Sequence, residues 1–198
     1  MYTFNPPPHT LPIRLHPIAR WHLHATHNCA FALPYEVLVY LFSFCLFKGL
    51  RALHAAGLTH RNLHPRNVHL DAKGRAVLTG YQVLANPRAP GDPYSWGRAD
   101  CGSPLVLAPE VDAGHPVSAA ADVWALGVCL LAWATGDADG GGPAASAKER
   151  SLEELLRAVP RRFGAQVRSA LRMCLQHHPA KRATAADLWK VLSTSSRK

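Results

Sequence analysis

The chain has little of what a membrane protein, a disulfide-stapled secreted protein or a nucleic-acid binder would need. Its apolar stretch at residues 37–47 is 11 residues long, bracketed by Glu36 and Lys48, and a spanning helix needs about 20. That stretch suits a helix buried in a globular core; a signal anchor is the alternative, and no membrane partner is expected. The cysteines Cys29, Cys45, Cys101, Cys129 and Cys174 are odd in number and scattered. That pattern suggests a reducing compartment, the cytoplasm or nucleus, with no disulfide framework. Cys45, Cys129 and Cys174 fall in apolar, helix-like stretches where cysteine packs as a small hydrophobe. Acidic residues are scarce as well, 13 against 22 Lys and Arg, for a net charge of +9.

The surplus is uneven. Residues 148–198 hold 12 basic and 4 acidic side chains. Arg157, Arg161, Arg162, Arg168, Arg172 and Lys190 would make a basic face, either a solvated helical surface or a dock for an acidic protein partner. No recognisable nucleic-acid motif accompanies it, so nucleic acid is not an expected partner. His22, His24 and His27 lie close to Cys29, but no second spaced pair of ligands accompanies them. A surface arm is favoured over a zinc site, and no metal is expected. At 198 residues and 48% apolar content, the chain can build one core.

What the chain does carry is concentrated at His60-Arg61-Asn62-Leu63-His64-Pro65-Arg66-Asn67. This segment resembles the catalytic loop of protein kinases, H-R-D-L-x-x-x-N, with asparagine at the position of the aspartate. In that family the aspartate accepts the substrate hydroxyl proton and the final asparagine holds magnesium. Asn62 is a neutral amide with no carboxylate to accept a proton.

The resemblance extends along the chain in the family's order. Leu53-His54 followed by Gly57 is similar to the end of the long C-lobe helix. Residues 67–79 read as two short strands around Asp71-Ala72-Lys73-Gly74, a hairpin. The D-F-G triplet that follows in kinases aligns here with Gly80-Tyr81-Gln82, so the aromatic is kept and the metal-binding carboxylate is not. Gly102-Ser103-Pro104 with Ala108-Pro109-Glu110 resembles the close of the activation loop. Asp122-Val123-Trp124-Ala125-Leu126-Gly127 resembles the buried central helix, and His178-Pro179-Ala180-Lys181-Arg182 the D-P-x-x-R segment.

Which residues survive is informative. The resemblance implies that Glu110 pairs with Arg182, that Asp122 bonds catalytic-loop amides, and that His60 and Arg61 are scaffold. The altered positions are those that meet nucleotide, metal or substrate: Asn62 for the base, Gly80 for the metal ligand, and His64 for the phosphate-contacting lysine. Asn67 alone remains of the metal ligands. Residues 1–34 contain no G-x-G-x-x-G and no V-A-I-K, and Pro6, Pro7, Pro8, Pro12, Pro17 and Pro34 suit an irregular arm rather than a sheet.

The expected architecture is therefore mainly α: an irregular Pro/His-rich arm over 1–34, then a protein-kinase-like C-lobe over 35–198 with a small β-hairpin at the catalytic loop and no N-lobe. Helices are expected near 36–55, 118–135, 164–176 and 184–193, with a capping box at Ser151–Glu154. Three functions compete. The first is a pseudokinase that binds a protein partner, with no cofactor; the second is an active serine/threonine kinase using ATP and magnesium. The third is a truncated product without activity of its own.

Overall fold

The structure, a computed structural model, describes residues 35–70, 76–79, 107–136 and 142–195. The arm 1–34, Gly80, the Asp71–Gly74 turn, the activation-type loop up to 106 and most of the glycine-rich linker after Gly136 lie outside the described residues.

Helix α1, Tyr35–Ala55, starts directly after Pro34. Val39, Leu46, Phe47 and Leu50 are buried at helical spacing on one face. Ser43 shares that face and satisfies its hydroxyl by donating to the Val39 carbonyl at 2.6 Å. The helix stops at Gly57, whose φ of 74° is left-handed. There the Leu58 amide closes onto the Leu53 carbonyl at 3.0 Å. A 3-10 turn, Pro65–Asn67, leads into strands β1, Val68–Leu70, and β2, Ala76–Leu78. The strands pair antiparallel with Val68 opposite Leu78.

A short helix α2, Pro109–Asp112, precedes the central helix α3, Ala119–Thr135. Every residue of α3 from Ala121 to Ala134 is buried. A helix apolar on all sides has no solvent face and must run through the core. It ends at Gly136 with φ 79°, the left-handed cap that an L side chain disfavours. Helix α4, Leu152–Ala158, opens with the expected capping box: the Ser151 side chain accepts from the Glu154 amide, and the Glu154 side chain accepts from the Ser151 amide.

Helices α5, Ala165–Cys174, and α6, Ala185–Ser195, complete the lobe. Thr184 opens α6 by accepting the Asp187 amide at 3.2 Å and donating its hydroxyl to the Asp187 carboxylate at 2.6 Å. Helix α1 packs on α6, β2 and α3, and α5 packs on α3. The α3–α5 contact is tight because Gly127 has no side chain. A Cβ there would lie 2.6 Å from the Cys174 Cβ and 2.8 Å from Leu175 Cδ2.

Cys129 and Cys174 are buried, and burial pushes both thiols well above their ordinary pKa. Arg168 departs from the expected basic face. Its guanidinium turns inward and donates to the carbonyls of Leu156, Val159 and Pro160 at 2.6, 2.8 and 3.2 Å. No helix among the described residues is long and apolar enough to cross a membrane.

Candidate functional site

The loop at 59–67 hangs from one buried carboxylate. Asp122, in the first turn of α3 and 2% exposed, accepts the His60 amide at 2.7 Å on Oδ2 and the Arg61 amide at 2.8 Å on Oδ1. The His54 ring Nε2 meets Oδ2 at 2.9 Å from the end of α1. Three donors on one carboxylate offset the desolvation that a buried charge would otherwise suffer. Arg61 has φ 65°, a left-handed conformation that costs a non-glycine residue about 1–3 kcal/mol. Adjacent amides aimed at one carboxylate hold that conformation in place.

His60 has no solvent exposure. Its Nε2 lies 3.0 Å from the Thr79 carbonyl, and its Nδ1 accepts the Asn62 amide at 3.3 Å. A carbonyl can only accept and an amide N–H can only donate, so the ring is the neutral tautomer with its proton on Nε2. Burial holds its pKa below the ordinary value, opposed by the Asp122 charge and the Thr79 bond.

Asn62 is half-buried, and its backbone carbonyl accepts Asn67 Nδ2 at 2.7 Å. The Asn67 carbonyl in turn accepts the Thr79 amide at 2.7 Å and the Thr79 hydroxyl at 3.1 Å, sealing the base of the hairpin. His64 sits in the intervening turn, its carbonyl accepting the Asn67 amide at 2.9 Å. The structure thus gathers His60, Arg61, Asn62, His64 and Asn67 around Asp122 and Thr79; Gly80 is outside the described residues. No Asp or Glu occurs in 59–67, so its side chains offer amides, imidazoles, a hydroxyl and the guanidinium groups of Arg61 and Arg66, with no carboxylate among them.

Glu110 and Arg182 form a second knot. Arg182 Nη1 donates to Glu110 Oε1 at 2.6 Å and to the Ala120 carbonyl at 3.0 Å. Nη2 donates to Glu110 Oε2 at 2.6 Å and to the His177 carbonyl at 3.1 Å, and Nε to the Gln176 carbonyl at 2.7 Å. All five guanidinium donors are used. The Trp124 ring lies against the guanidinium, its centroid 5.1 Å from Cζ. Through Ala120 this knot grips the same first turn of α3 that carries Asp122.

Sequence reasoning missed His54 and Thr79 as members of the loop network. His54 had a signal, because Leu53-His54 marks where α1 ends just before the loop. Thr79 had none, since its role is to be the backbone neighbour of His60 across a hairpin. Among the described residues no three His, Cys, Asp or Glu side chains group as a metal cage.

A mainly helical fold with one carboxylate pinning an H-R-x-L loop, and a bidentate Glu–Arg pair locking the helices beside it, is that of a kinase-like domain. Residues 34–191 match the family described as protein kinase domain, and the chain belongs to that family. It is similar to human serine/threonine-protein kinase H2, 37% identical over 92 residues, covering 44% of this chain and 23% of that protein. It is also similar to the Arabidopsis thaliana mitogen-activated protein kinase kinase kinase YODA, 32% identical over 148 residues, covering 72% of this chain and 16% of that protein. Drosophila melanogaster atypical protein kinase C is 32% identical over 144 residues, 68% of this chain and 23% of its own length. The chain thus spans less than a quarter of the length of these relatives.

Proposed function

We propose that this chain is a catalytically impaired protein-kinase-like domain, a pseudokinase, that serves as a protein-binding or regulatory module. The observation that carries the reading is Asn62. The loop around it is held by Asp122 through the His60 and Arg61 amides, yet the residue at the position of the family's base is a neutral amide. The donor set argues the same way. Asp122 is the carboxylate nearest the loop in this network, and its two oxygens are taken by His60, Arg61 and His54. Asn67 spends its amide N–H on Asn62, leaving one neutral oxygen. Magnesium favours carboxylates and phosphates held in an octahedron, and these residues do not fit it.

Serine/threonine kinase activity is the second reading. It is favoured by the kinase names of the relatives and by the retention of Asn67 in a bonded, positioned state. Thermal unfolding of the purified chain, titrated with ATP in the presence and absence of magnesium, separates the two. The expected result is no saturable, metal-dependent stabilisation. A saturable rise in the midpoint that requires magnesium would overturn the impaired reading and promote the active one.

A further inference from the structure

We propose that His178 is an acid-sensitive latch on the Glu110–Arg182 knot: its neutral ring holds the turn that carries Arg182, and a proton on that ring loosens it. This latch lies in the geometry of one turn and is independent of whether the loop at 59–67 is impaired or active.

A 3-10 turn, Pro179–Lys181, follows α5. His178 opens it, and the His178 ring Nδ1 accepts the Ala180 amide at 3.3 Å. The His178 carbonyl accepts the Lys181 amide at 3.0 Å, and the Pro179 carbonyl accepts the Arg182 amide at 3.2 Å. Those three bonds set the direction in which Arg182 leaves the turn. Its guanidinium folds back onto the residues just before the turn. Nε donates to the Gln176 carbonyl and Nη2 to the His177 carbonyl, while Nη1 and Nη2 together hold Glu110. Turn and knot thus share residues 176–182, so loosening the turn loosens the grip on Glu110.

The ring is the titratable member of this arrangement. Neutral imidazole offers one acceptor nitrogen, whereas imidazolium has two N–H donors and no acceptor. Protonation therefore sets two donors against each other and takes the cap from the Ala180 amide. Histidine changes charge between about pH 5 and 8, and His178 is exposed, so protons reach it. The charged side chains on the elements flanking the turn are Arg172 on α5, Glu110 on α2, Asp122 on α3 and Asp187 on α6, with His177, Lys181 and Arg182 in the segment itself. Their carboxylates are already engaged, Glu110 by Arg182, Asp122 by the loop amides, and Asp187 by Thr184 and Lys190. A proton on His178 thus adds charge to a cationic segment. The cap is present while the ring is neutral and is lost as pH falls through the histidine range. An aspartate here, as in the D-P-x-x-R pattern, would accept the same amide and titrate only near about pH 4.

The test is an NMR pH titration of the full chain, following the His178 ring, the Ala180 amide and the Arg182 Nε–H. The Ala180 resonance should move with the midpoint of the His178 ring. Protection of the Arg182 Nε–H, corrected for the intrinsic pH dependence of exchange, should fall about fivefold from about pH 7.5 to about pH 5.5, the scale of a lost cap. His178→Asp and His178→Asn keep an acceptor that does not titrate in this range, and in both the Arg182 protection should stay flat. His177→Gln should retain the fall, which assigns it to His178 rather than to the neighbour whose ring lies against Trp124. An Ala180 amide that ignores the His178 titration, or Arg182 protection that is flat in the wild type, would overturn the latch. So would a fall that persists in His178→Asp and His178→Asn, or one that vanishes in His177→Gln.

Discussion

At the scale of single residues, the side chains that hold this lobe together are charged, and burial makes them costly to disturb. The Arg182 side chain is 0% and the Glu110 side chain 10% exposed. Removing one partner strands the other without water, at a cost of about 3–5 kcal/mol. That is a large part of a domain's total stability. Glu110→Ala and Arg182→Ala should each lower the denaturant midpoint strongly and reduce soluble yield. Unchanged midpoints in both would contradict the burial and the bidentate geometry. Arg182→Lys should also destabilise, because a lysine cannot replace five directed donors.

His60 makes a pH prediction. Its folded pKa lies below the unfolded value because burial disfavours the charged ring. Above about pH 6.5 both states are neutral and the contribution to stability is complete. As pH falls below that value the unfolded chain takes up the proton first, and stability declines toward the folded pKa. Because the chain has 12 histidines, the clean measurement is the NMR titration of the His60 ring. It should titrate below the ordinary histidine range, and a midpoint at or above about 6.5 would contradict the neutral, buried tautomer.

At the scale of elements, α3 decides the packing. It is enclosed on every side, so each neighbour must fit it, and Gly127 is where α5 comes closest. Gly127→Ala gains helix propensity of about 1 kcal/mol. It also drives a methyl into Cys174 and Leu175 at distances no Cβ tolerates. Overpacking of this kind costs about 1–3 kcal/mol, so the variant should be net neutral to destabilised despite the better helix former. A clear rise in melting temperature would show that α5 can retreat. The buried thiols of these two helices give an independent check. Cys129 and Cys174 should resist alkylation in the native chain and react only on unfolding, as read by mass spectrometry of their peptides.

At the scale of the whole molecule, the two polar knots converge on one turn. Asp122 holds the loop and Arg182 holds the Ala120 carbonyl two residues before it. The lobe is therefore braced around a catalytic-type loop whether or not that loop performs chemistry. This bracing allows a restoration experiment. Asn62→Asp should fold and keep the loop, yet should not restore phosphotransfer to a generic basic protein substrate. General-base assistance is worth about 10²–10⁴-fold, while phosphoryl transfer depends mainly on positioned metal and charge around the phosphates. Gly80 still supplies no carboxylate. Transfer of radiolabelled phosphate by the purified wild type, abolished by Asn67→Ala, would overturn the impaired reading.

The sequence by itself determined the family and most of the elements. The H-R-x-L-x-x-x-N frame, Ala108-Pro109-Glu110, Asp122-Val123-Trp124 and Arg182 stand in an order that one fold satisfies. The apolar runs and the Ser151 box located α1, α3 and α4 to within a residue or two. Those features are legible because propensity, capping and periodicity act over a few neighbouring positions. Only the tertiary structure decided that Arg168 is an internal clamp rather than part of the basic face. It alone decided that His54 joins the Asp122 network, and that Thr79 fixes the proton on His60. Each of these joins residues distant in sequence, and the sign of a side chain's charge does not say whether it meets water, a carboxylate or a backbone carbonyl until the chain has folded around it.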